Sequence, residues 1–305
     1  MKRVILLAIL GLAFAFNSSI PANAGYFSDI KAAKEQVKYE KNCKKDILEI
    51  FAKQEEFAKK HDVEGLRSIY APDFIDNDGY NKDVYFSLVG DTWETYPDIT
   101  YNTKIKNIKL NGDYATVETE ESAVATSDDL DKHIIGELNS SSNCIYHLQK
   151  LGGQWQIIGE NVTNEFSTLK YGDARYLKMT LETPSMISAN NNYTATLKVE
   201  APENSIVVAS LNQERIVNPA TKPEEHFMKL REDNTLARIF TANTDNVNEY
   251  IVASLGITGI DTTDKGIKVY MNGLAFVMSR VNVVPKNNFA RVDDRKDKKD
   301  KTDEQ

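Results

Sequence analysis

Residues 110–117 read Leu-Asn-Gly-Asp-Tyr-Ala-Thr-Val, and this stretch determines how the middle of the chain folds. Asn111-Gly112 favours a two-residue turn, because both residues tolerate the positive φ angles that a tight hairpin requires. Strand-like segments flank it at 100–110 and 113–125, rich in β-branched and aromatic residues. The stretch therefore predicts an antiparallel hairpin.

A second hairpin follows directly. The strand-like segments 134–150 and 154–162 flank Gly152-Gly153, a second pair of residues suited to a tight turn. Two hairpins in succession predict an antiparallel meander over the middle of the chain.

Three helices are predicted before the first of these strands. Apolar residues over 46–60 follow the i, i+3, i+4 spacing of a one-sided helix. Asp62 is a suitable N-cap for a short second helix that ends near Pro72. A third apolar stripe runs over 85–96 and is stopped by Pro97. Helices followed by an antiparallel sheet predict an α+β fold.

This order of elements resembles the nuclear-transport-factor-2-like superfamily (NTF2-like, also described as a SnoaL-like or cystatin-like cone). The resemblance is carried by the first helix at 47–57, the segment 70–76, the hairpin at 110–117 and the closing strand at 153–158. It implies a domain over 44–168, in which three helices pack in a curved antiparallel sheet around an internal pocket. The superfamily contains enzymes, ligand binders and assembly modules, so fold alone does not select a function.

The remaining segments divide by composition. Residues 25–43 are highly charged and predict a helical extension before the domain. Residues 175–285 contain several short strands separated by polar turns, which predicts an all-β sandwich, with a boundary near 170–174. Residues 286–305 are almost entirely charged or polar and predict a disordered tail.

The N-terminus predicts export. Residues 1–24 combine Lys2 and Arg3, an apolar run and an Ala-x-Ala ending, which is the pattern of a signal peptide. We therefore expect a periplasmic or extracellular protein without a transmembrane anchor. Cleavage would change the formal net charge from −8 to −10, because both basic residues leave. Such an acidic chain does not favour nucleic-acid binding.

An oxidising compartment raises the question of a disulfide. Cys43 lies on the apolar stripe of the first helix, and Cys144 shares strand parity with Tyr146 and Leu148. Both thiols are thus expected in one core, and a Cys43–Cys144 disulfide is predicted. The alternative is two separately buried free thiols.

The candidate site follows from the resemblance and from inward-facing stripes. Asp76 matches the region from which catalytic members of the superfamily place an acid or base, so a catalytic role is considered for it. The predicted pocket lining is Gln54, Tyr70, Phe74, Tyr85, Trp93 and His147. The alternatives are an ordinary turn aspartate and aromatic residues that simply fill the core. No metal site is predicted, because the acidic stretch 73–79 lacks both anchor residues of an EF-hand.

The favoured function is an exported, non-catalytic module that binds a ligand or assembles with other proteins at the cell envelope. Its expected partner is a small apolar or aromatic ligand or an envelope protein, with a homodimer through the cone sheet as a further possibility. The alternative is a small-molecule isomerase, hydrolase or cyclase that uses an acid/base aspartate. No cofactor is predicted.

The signal peptide gives the first testable prediction. In a bacterial host that exports the protein, the mature chain should begin at Gly25, as read by N-terminal sequencing. Changing both Ala22 and Ala24 to Asp should leave the precursor uncleaved, because the signal peptidase needs small residues at these positions. A wild-type exported protein that retains Met1 would contradict the prediction.

Overall fold

The computed structural model describes residues 24–129, 134–200, 205–220, 224–263 and 266–286. The predicted signal peptide, apart from Ala24, and the predicted tail, apart from Lys286, lie outside these ranges. Within them, no helix is both long enough and apolar enough to cross a membrane. The chain divides into two compact units, 1–45 and 46–305.

In the first unit, the described residues belong to the long helix α1 (Ala24–Lys59), which continues past the unit boundary. Residues 33–42 all expose their side chains. The charged segment 25–43 is part of this helix.

The second unit contains the end of α1 and two shorter helices. Asp62 caps α2 (Val63–Ser68), where its carboxylate accepts a hydrogen bond from the Gly65 N–H at 2.8 Å. The helix ends before Pro72, and strand β1 (Tyr70–Asp76) begins where the sequence predicted a further helical turn. The reason is tertiary: β1 pairs in parallel with a later strand, and this pairing buries Tyr70 and Ala71. Helix α3 (Lys82–Thr95) follows.

The predicted meander is present. Its four strands are β2 (Thr100–Asn111), β3 (Tyr114–Asp129), β4 (Ile134–Leu151) and β5 (Gln154–Gly172). The first turn is one residue later than predicted, because Asn111 pairs with Tyr114 and the loop residues are Gly112 and Asp113. Gly112 has a φ of 61° in this turn, and Gly152 and Gly153 have φ values of 57° and 86° in the second. These angles explain why glycine is needed at both turns.

The strands that follow are shorter, except for the final pair. They are β6 (Met179–Glu182), β7 (Met186–Ser188), β8 (Asn192–Val199), β9 (Ile206–Arg215), β10 (Met228–Lys229), β11 (Thr235–Thr241), β12 (Glu249–Thr263) and β13 (Gly266–Val284). One sheet has the order β10-β9-β12-β13-β5-β4-β3-β2, with β1 paired to β5 and β7 paired to β13. A second sheet has the order β11-β8-β6.

Side chains from both sheets form one apolar cluster in the C-terminal half. Leu197 on β8, Leu211 on β9 and Leu255 on β12 are all fully buried within it. The larger sheet nevertheless does not stop at the boundary predicted near 170–174. Residues 273–279 of β13 pair with residues 166–172 of β5, so main-chain hydrogen bonds join the two predicted domains. The sequence pattern did not predict this shared sheet.

A buried ion pair also joins these two regions. Arg280 on β13 is 1% exposed, and its guanidinium donates through both terminal nitrogens to the Asp78 carboxylate in the turn after β1. Arg280 Nε also donates to Asn282 at 3.0 Å. Asn248, directly before the neighbouring strand β12, donates to Asp78 at 2.8 Å. The acidic turn 73–79 is therefore held in place by the positive charge of Arg280.

The predicted disulfide is wrong for this structure. Cys43 and Cys144 are both buried and both free. The Cys144 Sγ lies 3.6 Å from the Ser142 hydroxyl. Burial, reinforced by the negative charges of Glu160 and Glu121, raises the pKa of the Cys144 thiol. Since the thiolate is the form that reacts, this environment disfavours oxidation of Cys144. The alternative of buried free thiols is the one observed.

The ion pair gives the second prediction. Arg280→Met should lower the free energy of unfolding by about 3–5 kcal/mol, because it leaves the Asp78 carboxylate buried without its counter-ion. Urea denaturation measures the change. Adding Asp78→Asn to the first substitution should recover part of the loss.

Lys109→Met is the matched control, because it breaks an exposed ion pair with Glu118. It should cost less than about 1 kcal/mol. Equal losses for Arg280→Met and Lys109→Met would show that the buried pair contributes little.

Candidate ligand-binding pocket

A cavity of about 130 Å³ lies between the helices of the second unit and the sheet. The helices contribute Gln54, Glu55, Ala58, Leu66, Tyr85, Val89 and Trp93. The strands contribute Tyr70, Tyr101, Thr103, Glu121, Tyr146 and Glu160. Aromatic rings thus dominate its wall, together with two carboxylic acids from the sheet, Glu121 and Glu160, and the exposed Glu55 from the first helix.

Strand alternation brings the polar residues to this wall. On β4, Cys144, Tyr146 and Leu148 face the same side and are all buried. Tyr146 lies opposite Glu160 of β5 in the strand register. On β3, the doublet Glu120-Glu121 sends one carboxylate to each face, since successive side chains of a strand alternate. Glu121 lines the cavity, whereas Glu120 pairs with exposed Lys106 on the opposite face.

The two carboxyl groups are held by tyrosine and threonine hydroxyls. Tyr85 donates to Glu160 Oε2 at 2.8 Å. Glu121 Oε1 accepts from Tyr146 at 2.9 Å and from Thr119 at 2.9 Å. These bonds fix both acids in orientation without a cation: no described residue that lines the cavity is a lysine or an arginine.

Burial without a counter-ion changes the protonation of both acids. Glu160 is 6% exposed, and burial followed by repulsion from Glu121 raises its pKa to about 8. Burial also raises the pKa of Glu121, against the opposing effect of its hydrogen bonds from Thr119 and Tyr146. Glu160 is therefore mainly protonated at neutral pH.

The aromatic part of the wall is tightly packed. The Tyr70 ring meets Phe74 edge-on at 4.9 Å and Phe86 at 5.0 Å. Gln54 Nε2 donates to the Tyr70 hydroxyl at 3.1 Å, while Gln54 Oε1 is buried and has no hydrogen-bond partner. Trp93 Nε1 donates to the Tyr101 hydroxyl at 3.0 Å.

The structure brings four of the predicted lining residues together at the cavity: Gln54, Tyr70, Tyr85 and Trp93. Phe74 lies behind them, packed against Tyr70 and Tyr85. His147 lies outside the cavity, because its strand neighbour Tyr146 takes the inward position. Its Nε2 is instead 3.2 Å from Asn161 Nδ2.

Asp76 occupies a turn at the end of β1 and is not part of the cavity wall. Its carboxylate accepts backbone N–H bonds from Asp78 at 2.9 Å and from Tyr80 at 2.8 Å. Burial is the main cause that raises its pKa. This geometry is that of an Asx turn, and a catalytic role for Asp76 stays a prediction.

Sequence reasoning missed the two acids of the cavity. Glu121 lies in the run 116–122, which resembles a solvated strand face, although its doublet with Glu120 signals that one of the two must point inward. Glu160 carries no such signal. Ile158 is an extra residue opposite β4, since Ile157 pairs with Leu148 and Gly159 with His147. This bulge reverses the strand parity and turns Glu160 inward.

The site shows no arrangement for a metal ion. Within the described ranges, no group of three or more His, Cys, Asp or Glu side chains is close enough to hold one. The described lining residues offer hydrogen bonding, electrostatic attraction, contact with aromatic rings and proton exchange with Glu121 and Glu160.

Comparison with known proteins gives partial structural matches. A putative scytalone dehydratase from Novosphingobium aromaticivorans is 14% identical over 41% of this chain and 86% of its own, with a TM-score of 0.36. An NTF2-like superfamily protein from Salmonella enterica is 16% identical over 40% of this chain and 91% of its own, with a TM-score of 0.34.

Bd1075 from Bdellovibrio bacteriovorus is 18% identical over 39% of each chain, with a TM-score of 0.33, so the match spans well under half of that protein. The matched structures include members of the superfamily that the sequence resembles. No family model and no curated protein matches the chain.

The raised pKa of Glu160 gives a prediction for stability against pH. The pKa of about 8 in the folded protein lies above the value of roughly 4.3 expected for an unfolded glutamate. The folded state therefore binds more protons between these values. The stability that Glu160 contributes is complete below about pH 4 and is lost as the pH rises through about 8.

Urea denaturation between pH 5.5 and 9 tests this loss, which has a slope of at most about 1.4 kcal/mol per pH unit for one proton. Glu160→Gln should flatten the decline. Glu118→Gln, on the exposed face of β3, should leave it unchanged. A decline of the same slope in the Glu160→Gln variant would contradict the assignment.

Proposed function

We propose that this protein is an exported, non-catalytic ligand-binding module that holds a small molecule in the cavity between the helices and the sheet. In this proposal, residues 44–168 form the NTF2-like cone of three helices in a curved sheet, and residues 175–285 form the β-sandwich. The observation that carries the proposal is the pair of acids, Glu121 and Glu160, oriented by hydroxyl groups in an aromatic cavity.

The energetic cost of this arrangement supports a binding role. Carboxyl groups buried without a counter-ion lower the stability of the folded chain. Strongly shifted pKa values in a cavity are a recognised mark of functional sites. A cavity that served only packing would be filled at lower cost by apolar side chains of similar volume. The hydroxyl groups of Tyr85 and Tyr146 also fix the acids in advance, which reduces the entropy lost on binding.

Export and assembly are the less constrained parts of the proposal. Export rests on the signal-like pattern of residues 1–24. For a homodimer through the cone sheet, the relevant face of β2 and β3 carries exposed Lys106 and Lys109, paired with Glu120 and Glu118. Contacts through that face would therefore be polar and weakened by salt.

A second candidate function is favoured by the protonation of the two acids. Glu160 is positioned as a general acid near neutral pH, and Glu121 is available as a base. Two carboxyl groups with different roles in one site are typical of acid/base catalysis. The alternative is therefore an isomerase, hydrolase or cyclase that uses Glu160 and Glu121 in place of the predicted Asp76.

Native mass spectrometry of protein purified from its exporting host tests the binding role. The wild-type protein should retain a small molecule that is released on unfolding. Ala58→Leu adds bulk inside the cavity and should abolish retention while the protein stays folded by circular dichroism. Ala52→Leu, at an exposed position of the same helix, should leave retention unchanged. Equal retention in both variants would place the ligand elsewhere and contradict the proposal.

The same sample distinguishes the two functions. If the retained molecule is incubated with fresh protein and is recovered unchanged, the binding role stands. If it is converted, and Glu160→Gln and Glu121→Gln each abolish conversion even at concentrations of the molecule that saturate the variant, the protein is an enzyme.

A further inference from the structure

We propose that the natural ligand of this cavity is a small organic cation that carries an alkylammonium group. This inference rests on the proposed function, since it names the class of ligand that the same cavity holds. It replaces the apolar or aromatic ligand expected from the sequence.

The hydrogen-bonding groups of the wall support a ligand that donates. Tyr85, Tyr146 and Trp93 already donate to neighbouring residues of the wall. The Gln54 amide nitrogen donates to Tyr70. Gln54 Oε1, by contrast, is a buried acceptor without a partner. A buried acceptor without a donor destabilises the folded chain, so a ligand N–H group directed at Gln54 would remove that cost.

The charges of the wall point the same way. Glu121 and Glu160 repel one another, and the described lining residues include no basic side chain to compensate them. A cation bound between them would supply the missing counter-charge. Protonated Glu160 would then lose its proton when the ligand binds, because a nearby positive charge favours the carboxylate.

The aromatic rings favour an organic cation over a metal ion. Tyr70, Tyr85, Trp93, Tyr101 and Tyr146 surround the cavity. Aromatic faces attract alkylammonium groups through cation–π contact and also cover their methylene groups. Calcium binds mainly through several carboxylate and carbonyl oxygens, and within the described ranges no group of three or more His, Cys, Asp or Glu side chains is close enough to hold a metal ion.

The volume limits the size of the ligand. A cavity of about 130 Å³ corresponds to roughly four water volumes. This space suits an ammonium group with a short alkyl chain. The lining residue Glu55 is exposed to solvent, so the cavity is reachable from outside, and its carboxylate is already paired with Lys59 at 2.6 Å.

Isothermal titration calorimetry with n-butylammonium chloride and with butan-1-ol tests the inference on the full mature chain. The two probes have equal numbers of non-hydrogen atoms and differ in charge. At pH 8.5 and low ionic strength, the wild-type protein should bind the ammonium at least tenfold more tightly than the alcohol. Binding should strengthen as the pH rises from 6 to 9, with release of a proton that is measured by comparing buffers of different ionisation enthalpy.

Variants connect the effect to the cavity. Glu160→Gln and Glu121→Gln should each weaken binding of n-butylammonium at least tenfold, and Glu160→Gln should also remove its pH dependence. Glu118→Gln, on the opposite face of the sheet, should change neither. Two acid variants guard against one of them failing to fold, which circular dichroism reports.

The failures of the two proposals are distinguishable. Equal affinity for the ammonium and the alcohol, or a retained molecule that proves neutral, would overturn the cation class and leave the ligand-binding function standing. Binding of calcium chloride without binding of n-butylammonium would also overturn it. Binding of n-butylammonium that survives Ala58→Leu would place the cation outside the cavity and overturn the inference. No binding of either probe, together with no retained molecule, would overturn both proposals.

Discussion

The buried ion pair between Arg280 and Asp78 is the interaction on which the arrangement of the second unit depends. It links β13 near the end of the described chain to a turn about two hundred residues earlier. Two charges taken out of water are costly unless every remaining donor and acceptor is matched. Here the Asn248 and Asn282 amides complete the match, and Asn248 also accepts from the Val283 N–H at 3.0 Å. The pair therefore specifies one geometry, because few other placements of β13 would satisfy all of these groups.

This geometry is connected to the cavity through Asn77. Asn77, beside Asp78, donates its backbone N–H to the Glu160 carbonyl at 2.9 Å, and its side chain bonds both backbone groups of Val162. The turn that Arg280 holds is thus the same turn that fixes the main chain of Glu160. A feature of the C-terminal half consequently supports the position of an acid in the N-terminal half. Loss of Arg280 should therefore disturb the position of Glu160 in the cavity and also lower the free energy of unfolding.

The sequence was informative where local chemistry decides the structure. Gly112, Gly152 and Gly153 specify hairpins because few residues other than glycine accept their positive φ angles, and Asp62 caps α2 as its position predicts. It was uninformative where distant residues decide. The start of β1 has the sequence pattern of a helix end, and only its parallel pairing with β5 makes it a strand. The inward position of Glu160 depends on a bulge at Ile158, which no local sequence pattern predicts. The pairing of Arg280 with Asp78 could not be predicted either, because no local sequence pattern around one residue indicates the other.

The continuous pairing of β5 with β13 means that the N-terminal half cannot be separated from the rest of the chain without exposing a strand edge. A chain cut after Gly172 would leave residues 166–172 of β5 without the neighbour that pairs with them. Such an open edge is a template for the strands of other molecules, so the excised half would tend to aggregate. Shuffling of this half between proteins would therefore have to carry β13 with it. The segment that must be kept together is therefore larger than the NTF2-like domain that the sequence resembles.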